Sequence, residues 1–410
     1  MPPQVQRLLG VALAPFILAT LVGLVVLWPG DQQIEPSGSQ PLTERFDAVV
    51  NTIEPLSCPE VPGQENFVCT HVTVELTEGP DDGDTFSFDY SRAPNSRAMS
   101  EGDRVVVGRG EQSPTDTEAH YFFVDFDRRA PLLALGILFA VVVVALSRWR
   151  GLAALAGVVV SLAVLVKFVL PSILEGHSPL AVASVGAAVI MFLALYLAHG
   201  LNAATTVAVL GTLASLLLTG LLSVIFVGVS SFTGSGSEEA VFLQISQQQV
   251  NLEGLLLASI IIGTLGVLDD VTVTQASAVW ELQRANPTYG IKKLYQSGIR
   301  IGRDHIASTV NTLVLAYAGA SLPLLILFTV ANRSFTDVVT SELMAEEIVR
   351  TLVGSIGLVA SVPLTTGLAA FVVSRPGGRA PSSPRRPRPR PGDDEEFKLP
   401  RAEAEWRQDP

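Results

Sequence analysis

Two adjacent carboxylates, Asp269 and Asp270, interrupt an otherwise apolar run from Leu255 to Trp280. As a helix that run would measure about 39 Å, longer than the hydrocarbon core of a bilayer. If the helix leaves the membrane at Leu268, the pair are interfacial charges. If it continues to Trp280, they lie well inside, where a carboxylate is costly and marks an ion or proton site. Val271, Val273, Ala276, Ala278 and Val279 stay apolar beyond the acids, and Trp280 suits an interface, which favours the buried placement. Gly266, Asp270, Thr274, Ser277 and Glu281 recur at helical steps of three or four, a stripe expected to face other helices or water. A carboxylate in low dielectric favours its neutral form and exchanges protons near neutral pH. Asp269 and Asp270, with Thr272 and Thr274, are therefore the candidate ion- or proton-coupling groups.

The next apolar segment opens on a polar turn. Arg300, Asp304, Ser308 and Asn311 share one helical face, and His305, Thr309 and Thr312 share another. The face with His305 is expected to meet the aspartates, giving a relay of Asp269, Asp270, His305, Asn311 and Thr312. The plainer reading makes Arg303, Asp304 and His305 a charged turn that caps and anchors a helix, with Asn311 and Thr312 bonding between helices. Gly211, Ser215, Thr219 and Ser223 repeat every four residues and read as a close-packing seam. Gly354, Gly357 and Pro363 suggest close contact followed by a kink.

These residues sit in a membrane-embedded frame. Of 410 residues only 16% are charged and 48% are hydrophobic, although the net charge is −12. Residues 31–130 hold 20 Asp and Glu against seven Lys and Arg, a net of −13, and the remainder nearly cancels. That argues against a soluble enzyme, a disordered chain or a nucleic-acid binder. Apolar runs near 8–28, 131–147, 151–170, 180–198, 203–228, 252–279, 306–330 and 349–373 predict eight spans, the second a short one. With a cytoplasmic amino terminus, ten bases collect on the inner side (Arg7, Arg148, Arg150, Arg284, Lys292, Lys293, Arg300, Arg303, Arg375 and Arg379) against Lys167, Arg333 and Arg350 outside. The expectation is a plasma-membrane protein with both termini cytoplasmic: a signal-anchor helix (1–30), an extracytoplasmic β domain (31–130), a seven-helix membrane domain (131–373) and a disordered tail (374–410). The first run is long for a signal peptide and no Ala-x-Ala site follows.

In the external segment, alternation at Val68–Leu76, Phe86–Tyr90 and Phe122–Phe126 predicts strands with one buried face. A small closed or partly open barrel of about five strands fits the length. Residues 81–84, Asp-Asp-Gly-Asp, read as a hairpin turn rather than a calcium loop. Cys58 and Cys69 are the only cysteines, and an oxidising compartment predicts a disulfide between them. The loop 281–302 reads as a short helix pair along anionic headgroups. No phosphate loop, His-Glu-x-x-His, Cys-x-x-Cys or Gly-x-Ser-x-Gly occurs, so neither an enzyme nor a cofactor is expected.

Residues 266–282, GVLDDVTVTQASAVWEL, and 301–323, IGRDHIASTVNTLVLAYAGASLP, resemble the YibE/F family of bacterial membrane proteins, a likeness covering about 130–375. The resemblance implies a multi-pass protein with an extracytoplasmic domain after its first helix, and suggests permease-like roles. The order of parts is similar, by analogy, to SecF/RND-type proton-coupled proteins, although these have six helices per unit rather than eight. The leading expectation is a transporter or translocation-associated protein handling a small ion or substrate. The alternative is a membrane scaffold or sensor whose external domain binds an envelope protein. The bilayer is the expected partner, and a homo-oligomer is compatible with either.

Overall fold

The computed structural model describes residues 3–30, 44–58, 67–110, 121–247, 249–330 and 334–375. Helix α1 (Pro3–Val26) leads into a five-stranded antiparallel sheet: β1 (Arg45–Leu56), β2 (Val68–Leu76), β3 (Thr85–Arg92), β4 (Arg104–Arg109) and β5 (Tyr121–Phe126). The strand order is β3-β2-β1-β4-β5. The predicted alternation places Val72, Val74 and Leu76 in the sheet's core with Val50, Val105 and Val107. The sheet curls into a half-barrel. Its outer strands β3 and β5 meet through side chains, Phe86 on Tyr121 at 4.3 Å and Tyr90 on Phe123 at 5.2 Å between ring centroids, rather than through a ladder.

The Asp-Asp-Gly-Asp segment closes the β2–β3 hairpin as expected, with Gly83 at φ +87° and its N–H donating to the Leu76 carbonyl. Asp81 also accepts a 2.6 Å bond from Tyr121. Burial and that bond push the Tyr121 phenol up to about 12, so it stays a donor. Cys58 and Cys69 form the predicted disulfide.

Helix α2 (Arg129–Val164) continues through a π-helical turn, Leu165–Val169, into α3 (Leu170–Leu174). The helices that follow are α4 (Pro179–His199), α5 (Ala203–Val229), α6 (Glu238–Ser246), α7 (Leu252–Ala285), α8 (Ile291–Ala320), α9 (Leu322–Val330), α10 (Phe335–Val339) and α11 (Glu342–Val373). Among the described residues six helices are long and apolar enough to cross a membrane, or seven if α8 and α9, bent by 57°, form one span. The expectation of eight differs because the runs 131–147 and 151–170 join in one helical stretch, Arg129–Leu174. That stretch is not straight: Arg148 breaks it at φ 52°, ψ −128°. A Cβ on Gly151 would stand 2.5 Å from the Val143 carbonyl oxygen, eight residues back, whereas a straight helix separates such positions by about 12 Å. The stretch 281–302 is not a surface helix pair. It holds the ends of α7 and α8, joined by five residues.

Contacts sort the helix ends. At one end Gly30 bonds to Glu175, Ser172 to Leu27, and Glu342 accepts from the Thr233 and Gly234 amides. At the other, Val5, Leu9, Ala203, Val279, Leu294 and Val373 form one cluster. Between them α5 and α11 approach closely: a side chain at Gly211 would collide with Thr365, and one at Gly357 with Thr219. This is the seam that the four-residue repeat predicts. Helix α11 runs on unbroken through Pro363. The predicted tail lies, from residue 376, outside the described residues.

The disulfide closes a short loop, and loop-closure entropy gives it about 3 kcal/mol. Cys69→Ser should therefore accelerate global-opening hydrogen exchange of the β1 and β2 amides by about 100-fold. A second expectation concerns the junction of sheet and α2. Arg129 binds Asp127 through its side chain at 2.9 Å and its backbone N–H, and pairs with Asp47 of β1. The side-chain bond from Arg129, then the backbone bond, hold the Asp127 carboxyl below the usual carboxylate range. Such a group stabilises the fold above its unfolded value near 4 and loses that contribution as pH falls through the folded value. Exchange at residues 126–130 should rise, beyond the intrinsic rate, as pH falls below about 4. An unchanged profile would exclude this role for Asp127.

Candidate functional site

Helix α7 positions the two aspartates. Asn251 caps it, its side chain accepting from the Gly254 amide at 2.7 Å. The helix runs 34 residues, and Asp269 stands near its middle, about 26 Å from Leu252. The far end of the bundle is marked by the α4–α5 turn. His199 and Asn202 there flank a cleft shared with Ser277, Trp280 and Glu281 of α7. Asp269 is eight residues short of Ser277, so it lies about 12 Å inside that end.

The two carboxylates face different neighbours. Asp269 turns toward α5, where Thr212 reaches its side chain. The Thr212 hydroxyl has one proton and other acceptors: Thr272 Oγ1 at 2.7 Å and the Ala208 carbonyl at 3.1 Å. Thr272 in turn donates to the Asp269 carbonyl at 3.1 Å. Asp269 Oδ1 is buried and has no hydrogen-bond partner among the described residues. A buried carboxylate oxygen short of donors is costly as an anion. Asp270 is exposed and lies on the predicted stripe with Gly266, Thr274, Ser277 and Glu281, each also exposed.

That stripe lines a cleft between the second half of α2, α4 and α7. Its inner lobe, about 530 Å³, holds Asp269, Asp270 and Thr274 against Ser161, Leu162 and Ile190. The lobe at the bundle end, about 510 Å³, holds Arg150, His199, Asn202, Ser277 and Arg284. Ala198, His199 and Val273 line both lobes, so the two adjoin. His199 is within electrostatic reach of both Arg150 and Asp270. The arrangement offers a polar path from a basic mouth to paired carboxylates, with an apolar wall beyond them. Among the described residues no group of three or more His, Cys, Asp or Glu is placed to hold a metal ion.

Helix α8 meets α7 on another face. Gln275, 2% exposed, donates to the Gly298 carbonyl and to Thr366 of α11, both at 2.7 Å. Gly302 packs against the same glutamine. His305, one turn on, shares that face of α8, and its Nε2 is buried without a partner among the described residues. Asp269 and Asp270 are turned about 120° and 140° away from Gln275 around α7, in opposite senses. His305 thus stands near their depth but behind the helix. Arg303, Asp304, Asn311 and Thr312 are exposed on the outer side of α8, and Thr312 bonds back to the Ser308 carbonyl at 3.0 Å. Sequence reading passed over His199, Arg150, Thr212 and Gln275. Arg150 counted only as a topological charge, and nothing in the spacing ties it to α7, more than a hundred residues away.

A family model described as YibE/F-like protein matches residues 135–375 of the chain, which include every group in this cleft. No curated protein and no solved structure matches the chain.

Gln275 is the polar link among α7, α8 and α11. Gln275→Leu would remove both bonds that tie α7 to the Gly298 carbonyl and to Thr366, and interhelical bonds of this kind contribute about 1 kcal/mol. The variant should lose about that much in reversible unfolding in bicelles; a loss below a few tenths would deny the link any weight.

Proposed function

The chain belongs to the YibE/F-like family of multi-pass membrane proteins, and from that premise we propose that it is a permease-like carrier coupling an ion or proton to its cargo through Asp269 and Asp270. The observation that carries this reading is a buried, partnerless carboxylate oxygen beside an exposed aspartate on a cleft that reaches the bundle end. Asp269, with Thr272, takes the proton or cation. Asp270 and Thr274 meet whatever enters past Arg150 and His199. His305 lies behind α7, and Asn311 and Thr312, on the outer side of α8, take no part in the cleft.

The topology that goes with this reading has eight crossings. The stretch Arg129–Leu174 would measure about 69 Å as one straight helix, more than twice the hydrocarbon core, so the break at Arg148 divides it into two. With α8 and α9 as one bent span, both ends of the chain fall on the same side. The bases near Arg148, Arg150, Arg284 and Lys292 make that side cytoplasmic. The half-barrel then stands outside, where its disulfide is stable.

Proteoliposomes carrying the full chain and a pH-sensitive dye provide the test. Asp269→Asn and Asp270→Asn should each lower proton or cation flux at least about tenfold, while Glu253→Gln, on the exposed first turn of α7, should not. Equal flux in both aspartate variants would sink the carrier reading and leave the scaffold or sensor one.

A further inference from the structure

Helix α8 carries a second polar feature that the cleft does not use. Arg300, Asp304, Ala307, Asn311, Val314 and Ala318 recur at alternating steps of four, three, four, three and four residues, and all six are exposed. That spacing lines up one seam along about 27 Å of helix, the period of two helices wound on each other. Contacts on the opposite side of α8 give its depth. Gly302 packs against Val362, and Leu313 lies near Gly354, both well inside α11. Asn311 therefore stands in the middle of the bundle's height and on its outside.

The polar side chains on this seam have no partner among the described residues. Arg300 and Asp304 make no ion pair among the described residues, although they are one turn apart on the same helix. The Asn311 amide has no hydrogen bond there either. An amide facing lipid seeks a partner on another helix, and a single asparagine on such a seam specifies pairing and register. Ala307 and Ala318 leave room for a second backbone to approach. The charges are self-complementary: Arg300 of one copy reaches one turn along a parallel neighbour to an Asp304.

We propose that this face of α8 is a two-fold interface with a second copy of the chain, held by paired Asn311 amides at its centre and by Arg300–Asp304 pairs at one end. All copies insert with one orientation, so the two α8 helices run parallel, as the seam requires. The pairing leaves the cleft between α2, α4 and α7 open on the other side of the bundle. It is independent of the carrier reading.

The test exploits the chain's thiol content. Its two cysteines are joined to each other, so an introduced cysteine is the only free one. In native membranes Ala307→Cys, Asn311→Cys and Val314→Cys should each give a disulfide-linked dimer under mild oxidation. Leu221→Cys, exposed on α5, should give none. Arg300→Asp alone and Asp304→Arg alone should each lower the dimer fraction about fivefold by single-molecule counting in nanodiscs, and the double swap should restore it. Crosslinking no stronger at the three α8 positions than at Leu221→Cys would overturn the interface. So would a double swap no better than its parents. Both readouts are of association, so loss of flux in the aspartate variants neither supports nor damages this inference.

Discussion

Close backbone approach among α5, α7 and α11 is the constraint from which the rest of the membrane domain follows. At Gly211 and Gly357 there is no room for even one more carbon, and at Gly354 a Cβ would stand 2.7 Å from the Thr264 methyl. Most of the hydroxyls buried in this contact find an acceptor on their own helix. Thr212, Ser215, Thr219, Ser223, Thr264 and Thr366 all reach the carbonyl four residues earlier on their own helix. That removes the cost of burying them and keeps the mating surfaces smooth. Once the three helices are locked, the rotation of α7 is fixed. It follows that Asp269 looks toward α5, Gln275 toward α8 and Asp270 outward into the cleft.

The frame was largely legible in the sequence and the site only in part. Alternation marked β2, β3 and β5 because each keeps one face buried. The long strand β1 was harder, because its register shifts between Val50 and Thr52 and the period slips with it. Apolar runs located the helices well. Runs and helices do not correspond one to one, because hydropathy cannot distinguish a bend at Arg148 from a loop, or a bent α8–α9 pair from one straight helix. Periodicity placed the stripe Gly266–Glu281 correctly on one face of α7. What it could not give was the neighbour of that face, since Arg150 and His199 come from separate helices and meet Asp270 only through tertiary packing. His305 shows the same limit: its own helical face was right, but which side of α7 it meets depends on where Gln275 docks.

Polar groups in this bundle fall into two kinds. Those at Gln275, Thr272, Thr212, Ser215, Thr219 and Ser223 are matched with partners and serve cohesion, whereas Thr365 Oγ1 and Ser355 Oγ in the same contact are not. Asp269 Oδ1, His305 Nε2 and Asp270 are not matched within the fold. A folded membrane protein tolerates such groups at a cost in stability, and the cost is usual at sites that must accept and release something. The cleft concentrates them beside a basic mouth, which gives one end of the path the opposite sign from its interior.

The half-barrel has its own logic. Its four ladders join β3 to β5 in one continuous sheet, while the two outer strands meet through the rings of Phe86, Phe88, Tyr90, Tyr121 and Phe123. Opening that gap breaks no ladder between β3 and β5, only the ring contacts and the Tyr121–Asp81 bond, so the domain is stiffer along its strands than across its mouth. Since β5 leads straight into Arg129 and α2, any widening is delivered to the first residue of a membrane helix. The cheapest deformation of the sheet is thus the one that pulls on the bundle.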